Sequence, residues 1–304
     1  MRRWLVWLIQ GALAIAVVGF AARTLARHWD EFRALDVEWS FDAGPLALAA
    51  LTVWITYAIL IEAWRRVVIG WGQSLGYTTA ARIWCLSNMG RYLPGKVWSI
   101  AGLAVLAQRA GVSGWAATGS AVAMQALAVG TGASVVAIAA PQAVSPIQLL
   151  AATAIAVGVV WVLVSGDLSL RLARAVRPGA ELQPLSPWAA MSAGAATLAA
   201  WLAYGVAFWL LARGLLPEAD LSLRTAVGVF AAGYILGLLA IFAPGGLGVR
   251  ELVIVAILAP RVGSGGAVAL AVGSRLLLTI TEIVAALVAL LLGTREKERT
   301  VDAS

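Results

Sequence analysis

Long apolar stretches alternate with short polar ones along nearly the whole chain. Six of them read as full membrane-spanning helices, over about 4–22, 44–63, 116–139, 147–164, 188–212 and 265–292. Such lengths approach the roughly 20 residues needed to cross a hydrocarbon core of about 30 Å. Two further regions break the pattern. Residues 79–108 are apolar except at RYLPGK, and residues 225–260 are apolar except at APGGLGVRE. Each break leaves only about 10–12 apolar residues after it, which suits a re-entrant helix better than a span. The expected fold is an all-α polytopic membrane protein with six full spans plus two re-entrant broken-helix hairpins.

The order of these elements repeats. Residues 1–140 read span, span, hairpin entered from one side, span. Residues 141–293 read the same with the opposite orientation, and 294–304 form a tail. A short echo supports an inverted repeat: Pro94-Gly95 is followed by Arg109-x-Gly111, and Pro244-Gly245 by Arg261-x-Gly263. Inverted repeats with broken helices near the midplane are typical of secondary transporters.

Composition sharpens the class. Of 304 residues 62% are hydrophobic and only 12% charged, against about 25% charged in soluble domains. The apolar run after MRR exceeds the roughly 7–15 residues of a signal-peptide core, so it reads as a retained span. The formal charge of +7 would suit nucleic acid, but most Arg residues lie in short loops, which is a topology signal. Twelve Lys/Arg, counting Arg82, fall on the side shared by the N-terminus, loops 64–78, 109–115 and 165–187, and the C-terminus. Six fall on the other side: Arg23, Arg27, Arg33, Arg213, Arg224 and Arg261. That excess places both termini in the cytoplasm.

Little metal or redox chemistry is on offer. The single cysteine, Cys85, rules out an internal disulfide, and the single histidine, His28, lies in a polar loop. No metal site and no cofactor are expected. Tryptophans such as Trp4, Trp64, Trp71, Trp115, Trp188 and Trp209 sit near span ends and read as an aromatic belt. The segment His28–Asp42 reads either as a short interfacial helix or as a solvated loop.

Four cations remain inside apolar segments: Arg91, Lys96, Arg250 and Arg275. A central Arg or Lys costs roughly 2.5–3.5 kcal/mol on insertion scales, so all four need compensation. The acids at depth are Glu62, Glu251 and Glu282, one fewer. Arg275 and Glu282 share one face of the last span. They either pair and lock helix packing, or line a hydrated cavity whose excess positive charge wants an anion. The breaks add to this. Pro244 stops a helix, Gly245, Gly246 and Gly248 permit unusual backbone, and a new helix starts near Leu247–Arg250. Its free N–H groups suit an anion, and Pro94-Gly95 does the same beside Arg91 and Lys96. Alternatively, Glu251 caps its own helix.

NMGRYLPGKVW also fits G-x-x-x-x-G-K. A phosphate-binding loop needs Ser or Thr after the Lys and a preceding strand. Val97 follows instead, and no βαβ pattern exists, so nucleotide hydrolysis is set aside. NMGRYLPGKVW with its Arg109-x-Gly111 turn, and APGGLGVRE before a polar last span, resemble the flippase-like transmembrane family. That family is named for the membrane region of lysylphosphatidylglycerol synthases, and the resemblance covers nearly the whole chain. It implies a lipid flippase of a bacterial or archaeal cytoplasmic membrane, not an enzyme. The motif positions carried over are Asn88, Arg91, Tyr92, Pro94, Gly95, Lys96, Pro244, Gly245, Gly248, Arg250 and Glu251. Arg275 and Glu282 join the expected lipid-binding set on the charge argument. The chain ends in TREKERTVDAS after the last span, whereas fused members continue into an aminoacyl-transfer domain. The expected partner is a membrane lipid with an anionic head group or isoprenoid phosphate, with a lipid-synthesis enzyme as a further partner and no nucleic acid. Two alternatives stay open: an intramembrane lipid-modifying transferase using Tyr92, Glu251 and Glu282, and a non-transporting scaffold.

Overall fold

The computed structural model describes residues 41–92, 97–140, 145–176, 184–240 and 246–301. The expected first span, the segment His28–Asp42 but for its last two residues, and Pro94, Gly95, Lys96, Pro244 and Gly245 lie outside them. The described residues form helices and no strand. They are α1 Ala43–Gly70, α2 Tyr77–Asn88, a 3-10 turn Met89–Tyr92, α3 Val97–Arg109 and α4 Gly114–Ala139. Then follow α5 Pro146–Val164, α6 Gly166–Val176, α7 Pro187–Leu215, α8 Leu223–Leu239 and α9 Val249–Val301.

Side-chain caps start the long helices. Asp42 accepts from Gly44 N before α1, at 3.0 Å. Ser113, Ser186 and Ser222 accept from the third residue on before α4, α7 and α8, each satisfying one of the open N–H groups of a first turn. Among the described residues, four helices are long and apolar enough to cross a membrane: α1, α4, α7 and the part of α9 over Val249–Leu291. Helix α5 is a 19-residue apolar helix that coincides with the expected span at 147–164.

The interrupted regions differ. Helix α2 has 12 residues and α3 has 13, so at 1.5 Å per residue each is about 18–20 Å long and too short to cross alone. Helix α9 is two limbs. Gly263 divides them with φ 74° and ψ 161°, a conformation closed to side chains with a Cβ. Gly111, in the matching place two residues after an arginine, also has positive φ, at 90°. Gly246 and Gly248 likewise have φ of 72° and 81°, as the glycine-rich break requires.

Helix α1 packs on α7 in the most extensive interface. Helix α4 packs on α8, and α9 packs on α2. Helix α2 lies against α3, as α8 lies against α9.

Three details correct the sequence reading. Helix α1 runs to Gly70, beyond the expected end at 63, because Glu62 accepts from both Arg65 and Arg66 at 2.8 Å within the helix. The charges are neutralised in place and do not end it. Trp64 and Trp71 therefore leave the aromatic belt. Trp64 is fully buried and donates to Ser120 Oγ at 3.0 Å, and Trp71 is buried too. Trp188 does remain exposed. The expected loop at 165–187 contains α6.

Candidate functional site

The first break delivers Arg91 and Tyr92 on the 3-10 turn that ends α2. Gly90 makes that turn possible, since a Cβ there would lie 2.8–2.9 Å from the backbone of Trp98 and Ser99. Arg91 Nη1 donates to Glu282 Oε1 at 2.5 Å, and Arg91 Nη2 to Asn88 Oδ1 at 3.1 Å. Tyr92 donates its hydroxyl to Glu282 Oε2 at 2.7 Å and sits 3.3 Å from Thr279 Oγ1. Glu282 is buried, with 4% of its side chain exposed, while Arg91 keeps 28%. Tyr57 and Thr281 exchange a hydrogen bond beside this cluster, at 3.2 Å.

The second break delivers Arg250 and Glu251. Glu251 both caps its helix and pairs outward. Its Oε2 accepts from Gly248 N at 2.7 Å, and its Oε1 from Arg275 Nη1 at 2.7 Å. Arg250 is buried and has no acid partner among the described residues. Its Nη2 donates to Ser274 Oγ at 3.2 Å, and its Nε has no hydrogen-bond partner. The guanidinium lies over Phe230, 4.9 Å from the ring centroid, and 5.9 Å from that of Tyr234. Cation–π attraction to these two rings offsets part of the cost of burying it.

The sequence left the pairing of these charges undecided. Arg275 and Glu282 do not pair with each other. Each reaches a different break, so the last helix is tied to both. Glu62, the third acid, is engaged by Arg65 and Arg66. Of Arg91, Arg250 and Arg275, Arg250 alone has no carboxylate partner among the described residues.

A cavity of about 130 Å³ opens beside Arg91. Helices α1, α2, α3, α4, α7 and α8 all contribute to its wall. Of the expected site residues it takes Asn88 and Arg91; Glu282 turns away into a separate niche with Tyr57 and Cys85. Sequence reasoning missed the rest of the wall, including Ser99, Gln125, Trp84, Trp201, Tyr204 and Tyr234. The available signals were Gln125, the one amide in the 116–139 stretch, and aromatics placed mid-span rather than at span ends. Tyr204 stacks on Phe230 and Trp201 meets Tyr234 edge to face, both at 5.3 Å, so the aromatic wall continues to Arg250. No group of three or more His, Cys, Asp or Glu able to hold a metal occurs among the described residues. No family model and no curated protein matches this chain.

Proposed function

We propose that the chain is a lipid flippase of the flippase-like transmembrane kind. It would move an anionic or phosphate-bearing lipid between leaflets of a cytoplasmic membrane, with both termini in the cytoplasm. The carrying observation is the cavity between the helices of both halves, with Arg91 exposed to it and held by Glu282 from the other half. Non-helical backbone such as that around Arg91 is tolerated at membrane depth only against protein or a water-filled space. A guanidinium facing such a space suits a phosphate oxygen pair.

The proposed topology is six full spans and two re-entrant hairpins in an inverted repeat. Three findings support it. Helices α2 and α3 are too short to cross singly. The interfaces of α4 with α8 and of α9 with α2 are reciprocal. Gly111 and Gly263 share a positive φ at matching places.

The test has two arms. Lipids co-purifying in mild detergent are quantified by mass spectrometry, for wild type and for Arg91→Ala/Arg275→Ala. The enriched anionic lipid is then reconstituted with each protein in vesicles and its transbilayer movement followed. Enrichment and movement in wild type, both lost in the variant, are expected. Bulk lipids alone in both proteins, or unchanged movement, would reject transport and leave the scaffold reading.

A further inference from the structure

We propose that the cavity beside Arg91 selects a phosphate ester of a neutral, hydroxyl-rich group, such as a sugar, over an aminoacylated or otherwise cationic headgroup. This rests on reading the cavity as the headgroup site. The first ground is charge. Among the described residues lining the cavity, Arg91 is the one charged side chain. The nearby carboxylate, Glu282, is turned onto Arg91 and Tyr92 and lines the niche on its other side. An ammonium entering the cavity would meet a guanidinium and no acid among the described residues.

The second ground is the supply of neutral hydrogen-bonding groups. The side chains of Ser99, Gln125, Tyr204 and Tyr234 all reach the cavity wall, and none makes a hydrogen bond to another described residue. Ser and Tyr hydroxyls and the Gln amide each offer both donor and acceptor capacity. That matches sugar hydroxyls, which need both. A site built to hydrogen-bond hydroxyls discriminates strongly, because its own polar groups are stranded by a ligand without them.

The third ground is the wall. Trp84, Trp201, Tyr204 and Tyr234 present rings to the same space. Aromatic faces accept either the C–H face of a sugar ring or a cation. Arg91 in the same cavity removes the second option.

The ester could be lipid-linked or soluble, and the experiment separates these. The full chain in lipid nanodiscs is titrated by calorimetry with octyl phosphohexose, octyl phosphate, octyl phosphocholine and hexose 1-phosphate. Octyl phosphohexose is expected to bind at least about tenfold tighter than octyl phosphocholine. Gln125→Leu is expected to weaken octyl phosphohexose about three- to tenfold, while octyl phosphate changes by less than about twofold and so reports an intact fold. Gln125→Asn should recover part of the loss. Octyl phosphocholine binding as tightly as octyl phosphohexose, or equal losses for both phosphates in Gln125→Leu, would overturn the inference and leave the lipid reading standing. Hexose 1-phosphate binding as tightly as its octyl ester would support the headgroup chemistry and remove the lipid. Absence of binding by all four would overturn both.

Discussion

Replacing Glu282 by Ala removes the acceptor that holds the first break to the last helix. Two bonds disappear together: the Arg91 contact at 2.5 Å and the Tyr92 contact at 2.7 Å. A hydrogen bond to a charged group contributes about 1.5–3 kcal/mol, and breaking a buried ion pair by removing one partner costs about 3–5 kcal/mol. Arg91 retains 28% exposure, toward a space that can hold water. The lower end applies, so the loss should be about 3 kcal/mol. In an Arg91→Gln background the same change should cost about 1 kcal/mol, a coupling of about 2 kcal/mol. The assay is equilibrium unfolding in mixed micelles of rising dodecyl sulfate fraction, read by circular dichroism for both singles and the double. A coupling below about 0.5 kcal/mol would refute the reasoning, because contacting residues would then be behaving as independent sites.

Gly90→Ala should destabilise by about 1–3 kcal/mol in the same assay, since its Cβ meets backbone at 2.8–2.9 Å. Gly158→Ala, a helical position with nothing within 4 Å, should instead be neutral or stabilise by up to about 1 kcal/mol. Gly263→Ala should cost about 1–3 kcal/mol from backbone strain alone, and a matching loss is expected at Gly111; unchanged midpoints at both would contradict the shared turn. Ser120→Ala strands the buried Trp64 Nε1 and should cost about 1–3 kcal/mol, with a shift in tryptophan emission marking entry of water.

Much of the architecture was legible because Pro and Gly punctuate otherwise continuous apolar runs. RYLPGK and APGGLGVRE stand out for that reason; α3 begins just after the first, and α9 begins within the second. The ion pairs were less legible. Arg275 and Glu282 share a helix face, but seven residues separate them by about 10.5 Å, too far to meet directly. Their partners come from breaks that only the folded chain brings near. The end of α1 was misplaced because Arg65 and Arg66 read as loop charges, whereas Glu62 answers both within one turn. The cavity wall was missed because a mid-span Gln125, Trp201 or Tyr204 has the same periodicity whether it packs or faces a void.

The tie between Arg91 and Glu282 spans 191 residues of sequence. Translation at about 5–20 residues per second leaves an interval of about 10–40 s between emergence of the cation and of its carboxylate. Arg275 follows Glu251 by only 24 residues, a wait of about 1–5 s. During the longer interval the first break holds an unanswered guanidinium, so the nascent chain has reason to stay at the insertion machinery until its last helix arrives. Arrival of α9 therefore completes the tie on which the first break depends, and ribosome release before residue 282 should yield a chain marked for proteolysis.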